Sequence, residues 1–166
     1  MSKTIEDLKA AFAGESQANR KYTAFAKKAD GEGFAQVAKL FRAAAAAEGV
    51  HANNHLKAME GLQGTSENLE AAIGGENYEV TSMYPEFIQD AETEGNSRAL
   101  RSFRWAMDVE KVHEELYRKA LENLEAGKEA TFDYYVCPVC GYTHEGPLEG
   151  KCPVCGNPGE RFERVS

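Results

Sequence analysis

Glutamate and histidine occupy core positions of a helical pattern, and this feature limits the folds open to the chain more than any other. Residues 1 to about 127 are rich in Ala, Glu, Lys, Leu and Arg, which favour helix, and contain one proline, Pro85. Glycines divide this region into four segments, each about 28 residues or roughly 40 Å of helix. The breaks lie at Gly31–Gly33, Gly61–Gly64, Gly95 and Gly127. We therefore expect four helices.

Each segment has apolar side chains at steps of three, four and seven residues, the period of a bundle core. Six ionisable residues occupy positions that this pattern assigns to the interior: Glu15, Glu48, His51, Glu76, Glu110 and His113. An unpaired buried carboxylate is very costly, so such groups are normally paired, protonated or bound to metal. Six of them on four helices predict a cation inside the bundle.

The six residues form an internal repeat. Glu15 precedes the first Glu-x-x-His pair by 33 residues, and Glu76 precedes the second by 34. Residues i and i+3 share one face of a helix, so both members of each pair point inward. One Glu from each of two helices, with Glu-x-x-His from the other two, is the ligand set of ferritin-like di-iron and di-manganese proteins. A single Glu-x-x-His arises readily by chance, but the repeat favours a di-metal centre.

Several neighbouring side chains have two interpretations. Glu79 lies one turn beyond Glu76 and is either an extra ligand or a solvated residue at the bundle edge. His55 lies one turn beyond the first histidine of the repeat, where packing or support of a ligand is favoured over metal binding. Tyr22 and Tyr84 lie in or near the apolar stripes, where core aromatics and redox or hydrogen-bonding residues look alike.

The composition changes after Gly127. Residues 133–166 hold four of the five prolines and all four cysteines, and the helical periodicity is lost. The cysteines form two Cys-x-x-Cys-Gly knuckles: Cys137, Cys140, Cys152 and Cys155. In a chain without an export signal, two such pairs predict a tetrahedral site for zinc or one iron before they predict disulfides. Spacing alone slightly favours a structural zinc ribbon over iron.

Charge and hydropathy exclude several classes of function. The formal net charge of −8 argues against nucleic acid or an anionic membrane surface as a partner, because both need a basic footprint. No apolar run is long enough to cross a bilayer, and the polar start does not resemble a signal peptide. We therefore expect a cytoplasmic location.

Motifs in both regions resemble the rubrerythrin family, in which a ferritin-like di-iron domain is fused to a rubredoxin-like domain. Four segments carry the resemblance: Tyr135–Tyr142, Cys152–Gly156, Gly75–Glu79 and Met83–Pro85. The first two are similar to rubredoxin knuckles, and the last two to the third helix of the family. The resemblance covers nearly all of the chain. It implies a mainly α fold, with a ferritin-like four-helix bundle over residues 1–130 and a small rubredoxin-like β/loop domain with a tetrathiolate iron over 131–166.

The resemblance also implies a ligand set. Seven bundle residues would hold a di-iron centre with oxo and carboxylate bridges: Glu15, Glu48, His51, Glu76, Glu79, Glu110 and His113. The glutamate of each Glu-x-x-His pair would be a bridge. Glu79 would hold its iron when oxidised, and His51 would take the same iron after reduction. Tyr22 and Tyr84 match tyrosines that line the site, and the cysteine-bound metal becomes iron, because zinc does not change oxidation state.

The function implied by the resemblance is a peroxidase that reduces hydrogen peroxide to water in oxidative-stress defence. Its catalytic residues would be Glu79, His51, Tyr22 and Tyr84. Electrons would enter at the tetrathiolate iron from free rubredoxin or an NAD(P)H-dependent reductase, and cross between subunits of a head-to-tail homodimer. The alternative is a ferroxidase and iron-storage protein of the ferritin type, which needs no electron-delivery module. Zinc is a possible substitute for iron in either site.

Overall fold

The computed structural model describes residues 2–128 and 130–165, and the chain divides into two compact units, Met1–Gln63 and Gly64–Ser166. Within the described residues, the first unit is formed by two helices, α1 (Lys3–Gly31) and α2 (Ala35–Ala58). In the described part of the second unit there are three α-helices and three short strands: α3 (Thr65–Tyr78), α4 (Tyr84–Thr93), α5 (Ser97–Glu125), β1 (Tyr134–Val136), β2 (Thr143–Glu145) and β3 (Glu163–Val165).

In the first unit, α1 and α2 pack against each other through small side chains. The buried residues within 2–63 are all alanines: Ala26, Ala29, Ala38, Ala45 and Ala52. Small side chains at a contact let two helix axes approach closely. The helices are also joined by a hydrogen bond that Nδ2 of Asn19 donates to the carbonyl of Ala45 at 2.7 Å. This packing holds one face of each helix against the other along the hairpin.

In the second unit, α3 and α4 form one continuous helix that is interrupted by a π-helical turn at Glu79–Met83. The backbone N–H of Tyr84 donates to the carbonyl of Glu79, five residues back. The next residue is Pro85, which has no N–H to donate to an α-helical ladder. The third segment predicted from the sequence is therefore α3 and α4 together, and both pack against α5.

The cysteine-rich part of the second unit is a three-stranded antiparallel sheet in the order β2-β1-β3. Val136 pairs with Thr143 on β2 and with Glu163 on β3. Cys137, Cys152 and Phe162 form its buried core. Strand β2 also contacts α5. The cysteines thus form part of the interior of this module as well as its candidate metal site.

These elements confirm the predicted mainly α fold with a small β module. The glycine breaks coincide with the ends of helices, and α2 is shorter, at 24 residues, than the segment length expected. None of the helices in residues 2–128 and 130–165 combines the length and the apolar character needed to span a membrane. The boundary between residues 130 and 131 stays a prediction.

Candidate metal centres

Three predicted ligands of the first unit lie together. One oxygen from each of Glu15 and Glu48 and one ring nitrogen of His51 lie within 4.8 Å of one another. Nδ1 of His51 is 2.9 Å from Oε2 of Glu48, as expected for residues one turn apart on α2. Within residues 2–63, Nε2 of His51 has no hydrogen-bond partner, and the side chain is 54% exposed. We call these three residues the α1–α2 cluster.

Three predicted ligands of the second unit form a matching group, the α3–α5 cluster, which consists of Glu76, Glu110 and His113 and also lies within 4.8 Å. Nδ1 of His113 is 2.6 Å from Oε2 of Glu110. Burial, followed by the charges of Glu110 and Glu79, raises the pKa of Glu76 to about 7. The hydrogen bond with Glu110 raises the pKa of His113. The metal-free cluster therefore retains protons that a bound cation would replace.

The second ring nitrogen of His113 is also engaged. Nε2 lies 2.9 Å from Oγ1 of Thr143, the first residue of β2. The Thr143 hydroxyl donates to the carbonyl of Gly141 at 3.2 Å. Because a hydroxyl has one proton, Oγ1 is then the acceptor of the Nε2–H of His113. The histidine of this cluster is thus held at both nitrogens, and its side chain is 26% exposed.

Glu79, predicted to be an additional ligand, is the first residue of the π-helical turn. It is not part of the three-residue group within 4.8 Å. Burial and the charge of Glu110 nevertheless raise the pKa of the Glu79 carboxyl, so it lies within electrostatic reach of the α3–α5 cluster. Tyr84 follows the turn, and burial, Glu79 and Glu110 raise the pKa of its phenol. π-helical turns are frequent at functional sites. This turn begins at Glu79 and ends directly before Tyr84.

Tyr22 and His55 have different surroundings. The ring of Tyr22 packs with Phe25 at 6.3 Å and with Phe41 at 6.1 Å between centroids. His55 lies in the last turn of α2 and is not part of the α1–α2 cluster. These contacts agree with packing for Tyr22, and a catalytic role for it remains a prediction.

The four cysteines converge at the centre of the β module. Sγ of Cys137 is 3.6 Å from Sγ of Cys155, and Sγ of Cys140 is 3.5 Å from Sγ of Cys152. These distances exceed a disulfide bond of about 2.05 Å. They are close to the edge of about 3.8 Å expected when four sulfurs surround a metal at about 2.3 Å. The thiols are free, and the site fits a metal rather than a disulfide pair.

The glycine after each knuckle has a left-handed backbone conformation. Gly141 has φ +86° and donates its N–H to the carbonyl of Cys137 at 2.9 Å. Gly156 has φ +77° and makes the same bond to Cys152. Side chains with a Cβ rarely adopt this left-handed region, so glycine closes both turns around the sulfurs.

Two side chains beside the α3–α5 cluster were not predicted from the sequence. Burial and the charges of Glu76 and Glu110 raise the pKa of Tyr117. Tyr117, His113 and Thr143 share the wall of a cavity of about 350 Å³. Tyr117 fits the apolar period of α5 and therefore looked like core. Thr143 lies 30 residues beyond His113 in a different element, and no local pattern relates the two positions.

The donor types agree with iron in both kinds of site. Each helical cluster offers two carboxylates and one imidazole, and these hard and intermediate ligands suit iron or manganese. The cysteine cluster offers four thiols in a tetrahedral arrangement, which suits zinc or a single iron.

Family models match both parts of the chain. Residues 6–121 match the model described as Rubrerythrin, and residues 135–163 match the model described as Rubrerythrin, rubredoxin-like domain. The first match includes both helical clusters, and the second includes all four cysteines.

Individual relatives align over almost the whole chain. It is 40% identical to nigerythrin of Nitratidesulfovibrio vulgaris over 173 residues, which cover 96% of this chain and 85% of nigerythrin. It is 38% identical to the rubrerythrin of Porphyromonas gingivalis, with 98% and 90% covered. A solved structure of mixed-valence nigerythrin matches with a TM-score of 0.59, 39% identity and coverage of 99% and 88%. A fully reduced nigerythrin, described as all ferrous, matches with the same TM-score.

Proposed function

The chain belongs to the rubrerythrin family, and from this premise we propose that it is a non-haem di-iron peroxidase that reduces hydrogen peroxide to water in oxidative-stress defence. It carries a rubrerythrin-type di-iron site and a four-cysteine, rubredoxin-like site.

For the di-iron centre we propose the ligand set predicted from the sequence. The proposed ligands are seven: Glu15, Glu48, His51, Glu76, Glu79, Glu110 and His113. Carboxylates offer two oxygens each, so the glutamate of each Glu-x-x-His pair would be suited to hold two cations. The domain limits proposed for these functions are 1–130 and 131–166.

When bound, the cysteine iron carries single electrons and the di-iron centre provides the two that cleave the O–O bond. The protein residues around the centre control protons. Because burial and nearby carboxylates raise the pKa of Tyr84, its phenol keeps its proton at Oη and can donate a hydrogen bond to a peroxide oxygen. Glu79 and His51 supply alternative ligand atoms, since an anionic oxygen suits the oxidised metal and a neutral nitrogen suits the reduced metal. Tyr22 is proposed to line the same site.

One observation carries the choice of a peroxidase over a storage protein: the cysteine module packs on the helix that bears the candidate iron ligands. Thr143 of β2 contacts His113 of α5, and Glu145 of β2 forms an ion pair with Lys119 of α5. Iron storage requires no redox module beside the oxidation site. A ferritin-type ferroxidase is the second candidate, because the helical clusters alone would suffice for that function.

The same contact bears on the electron route. Within one chain, the knuckle that contains Cys140 lies next to His113. Electron transfer from the cysteine site to the α3–α5 cluster therefore does not require a second subunit. We propose rubredoxin or an NAD(P)H-dependent reductase as the donor, acting on a homodimer or higher oligomer in the cytoplasm. Light scattering tests the oligomer, and a monomer with full activity would refute any need for transfer between subunits.

The test of the proposed function combines metal content, a visible spectrum and peroxide addition to anaerobically reduced protein. We expect about three irons per chain, the red colour of a ferric tetrathiolate and rapid reoxidation by peroxide. Zinc in the cysteine site with no visible band would remove the internal electron carrier from that sample. Accumulation of many irons per chain with ferrous iron and oxygen, without peroxide turnover, would establish the storage alternative instead.

A further inference from the structure

The first cysteine knuckle has a direct connection to the α3–α5 cluster. Gly141 lies beside Val109 of α5, whose Cγ1 is 3.9 Å from the position of a Cβ at Gly141, and Val109 is buried. Four residues later on α5, His113 meets Thr143 at 2.9 Å. Positions i and i+4 lie on the same helix face. One face of α5 therefore contacts, at two successive turns, the glycine of the knuckle and the first residue of β2.

We infer that Thr143 is a positioning residue of the di-iron centre: its hydroxyl holds the His113 ring with the proton on Nε2, so that Nδ1 is the nitrogen available to metal. The inference rests on the proposed di-iron centre for the metal, but not on the peroxidase reaction. It makes the rubredoxin-like module part of the iron-binding site as well as a carrier of electrons.

The hydrogen-bond directions support this role. The single hydroxyl proton of Thr143 goes to the carbonyl of Gly141, so Oγ1 accepts from His113. Nε2 is then occupied, and Nδ1 is the ring atom beside Glu110. A metal-binding histidine usually donates its other N–H to a partner that sets the tautomer and ring orientation. Thr143 is that partner, and it is supplied by a different element from the ligand.

The position of the Thr143 hydroxyl is itself restricted. Thr143 pairs with Val136 across the sheet, and the Cys137 N–H donates to the carbonyl of Tyr142 at 2.9 Å. The turn between them is closed by the Gly141 N–H bond to the carbonyl of Cys137. A hydroxyl on this short, hydrogen-bonded hairpin can hold an imidazole in one orientation, which a mobile loop could not do.

The test compares three full-length variants: Thr143→Val, Thr143→Ser and Lys119→Gln. Valine keeps the branched shape without the hydroxyl, and serine keeps the hydroxyl. Lys119→Gln removes a different contact between α5 and β2, the ion pair with Glu145, without touching His113. Each protein keeps iron in the cysteine site, and its helical sites are emptied with a chelator. The visible thiolate band reports that the module is folded in every variant.

Calorimetric titration with Co(II) under anaerobic conditions measures affinity at the helical sites. We expect Thr143→Val to weaken binding by about 10–100-fold, the usual effect of losing a partner of a metal-bound histidine. Thr143→Ser and Lys119→Gln should remain close to the unmodified protein. Unchanged affinity in Thr143→Val would overturn the inference, as would a serine variant as weak as the valine variant. Equal weakening by Lys119→Gln would also overturn it, because loss of docking would then explain the effect.

A second measurement observes the proton itself. In protein with Zn(II) in all sites, the Nε2–H of His113 should give a slowly exchanging NMR signal in the unmodified and Thr143→Ser proteins. The signal should exchange rapidly in Thr143→Val. A protected Nε2–H in the valine variant would refute the role of the hydroxyl. Neither measurement uses peroxide, so failure of the peroxidase proposal and failure of this one are distinguishable.

Discussion

The α1–α2 and α3–α5 clusters have the same residue types in the same order, but their histidines differ in how they are held. His113 is bonded through Nδ1 to Glu110 and through Nε2 to Thr143, and 26% of its side chain is exposed. His51 is bonded through Nδ1 to Glu48, and 54% of its side chain is exposed. A repeat in the sequence has therefore acquired different surroundings in its two copies.

The difference corresponds to the roles proposed for the two histidines. A ligand that must stay on its metal benefits from a ring held at both nitrogens. A ligand that binds only in one oxidation state must be able to turn away, and a ring held at one nitrogen can do so. We therefore propose that His113 is the constant ligand and His51 the exchangeable one.

The largest effect is expected from the bridging glutamates. Glu48→Ala and Glu110→Ala should each remove both helical irons, because the carboxylate of each proposed bridge would be shared between the two metals. Loss of a residue that only supports a metal ligand typically lowers activity by about 10–100-fold. The loss of peroxidase activity in these variants should be larger. Iron analysis and steady-state rates measure this, with Glu70→Ala, an exposed residue on α3, as the control. Retention of one helical iron in either variant would indicate two independent metal sites.

The second-largest effect should distinguish His113 from His51. His113→Ala should lower iron affinity by about 100-fold in both oxidation states, because no other side chain is proposed to replace it. His51→Ala should retain iron when oxidised, where Glu79 is the proposed ligand, and lose affinity when reduced. Iron retained after dialysis of oxidised and dithionite-reduced protein measures the difference. Equal losses by both variants in both states would remove the distinction between a constant and an exchangeable ligand.

A smaller effect is expected at the residue proposed to exchange with His51. Glu79→Ala should reduce kcat by about 10-fold, because the oxidised metal loses its anionic ligand. The free energy of unfolding should change by about 1 kcal/mol or less, as is usual for a partly exposed side chain. Turnover and thermal unfolding are compared with those of Glu86→Ala, an exposed glutamate on α4. An unchanged peroxidase rate would exclude ligand exchange as a catalytic feature.

The smallest effect is a pH dependence of the metal-free α3–α5 cluster. The pKa of Glu76 is raised from 4.5 to about 7, so between these values the folded protein binds more protons than the unfolded chain. The free energy of unfolding contributed by this group is therefore largest below about pH 4.5 and is lost as pH rises to about 7.

Urea unfolding of metal-free protein at several pH values measures this contribution, and Glu76→Gln should flatten the slope between about pH 4.5 and 7. Metal-loaded protein is the control and should change in the opposite direction, because iron binds the deprotonated carboxylate more strongly at higher pH. A slope that is unaffected by the substitution would assign the pH dependence to other groups.

Much of the helical fold was predictable because the relevant interactions are local. The glycine breaks and the apolar period predicted the helices, and the i, i+3 spacing placed Glu48 with His51 and Glu110 with His113 on common faces. The π-helical turn was not predicted. Pro85 was its signal in the sequence, but a proline alone indicates a break or kink without specifying the geometry.

The sequence by itself determined the residue types of both candidate sites, since the Glu-x-x-His repeat and the paired Cys-x-x-Cys knuckles are short-range patterns with direct chemical meaning. Only the tertiary structure decided which histidine is held at both nitrogens. That outcome depends on β2 packing against α5, where Thr143 reaches His113 across 30 residues of chain. Such a contact follows from the packing of separate elements, and the periodicity of neither element contains it.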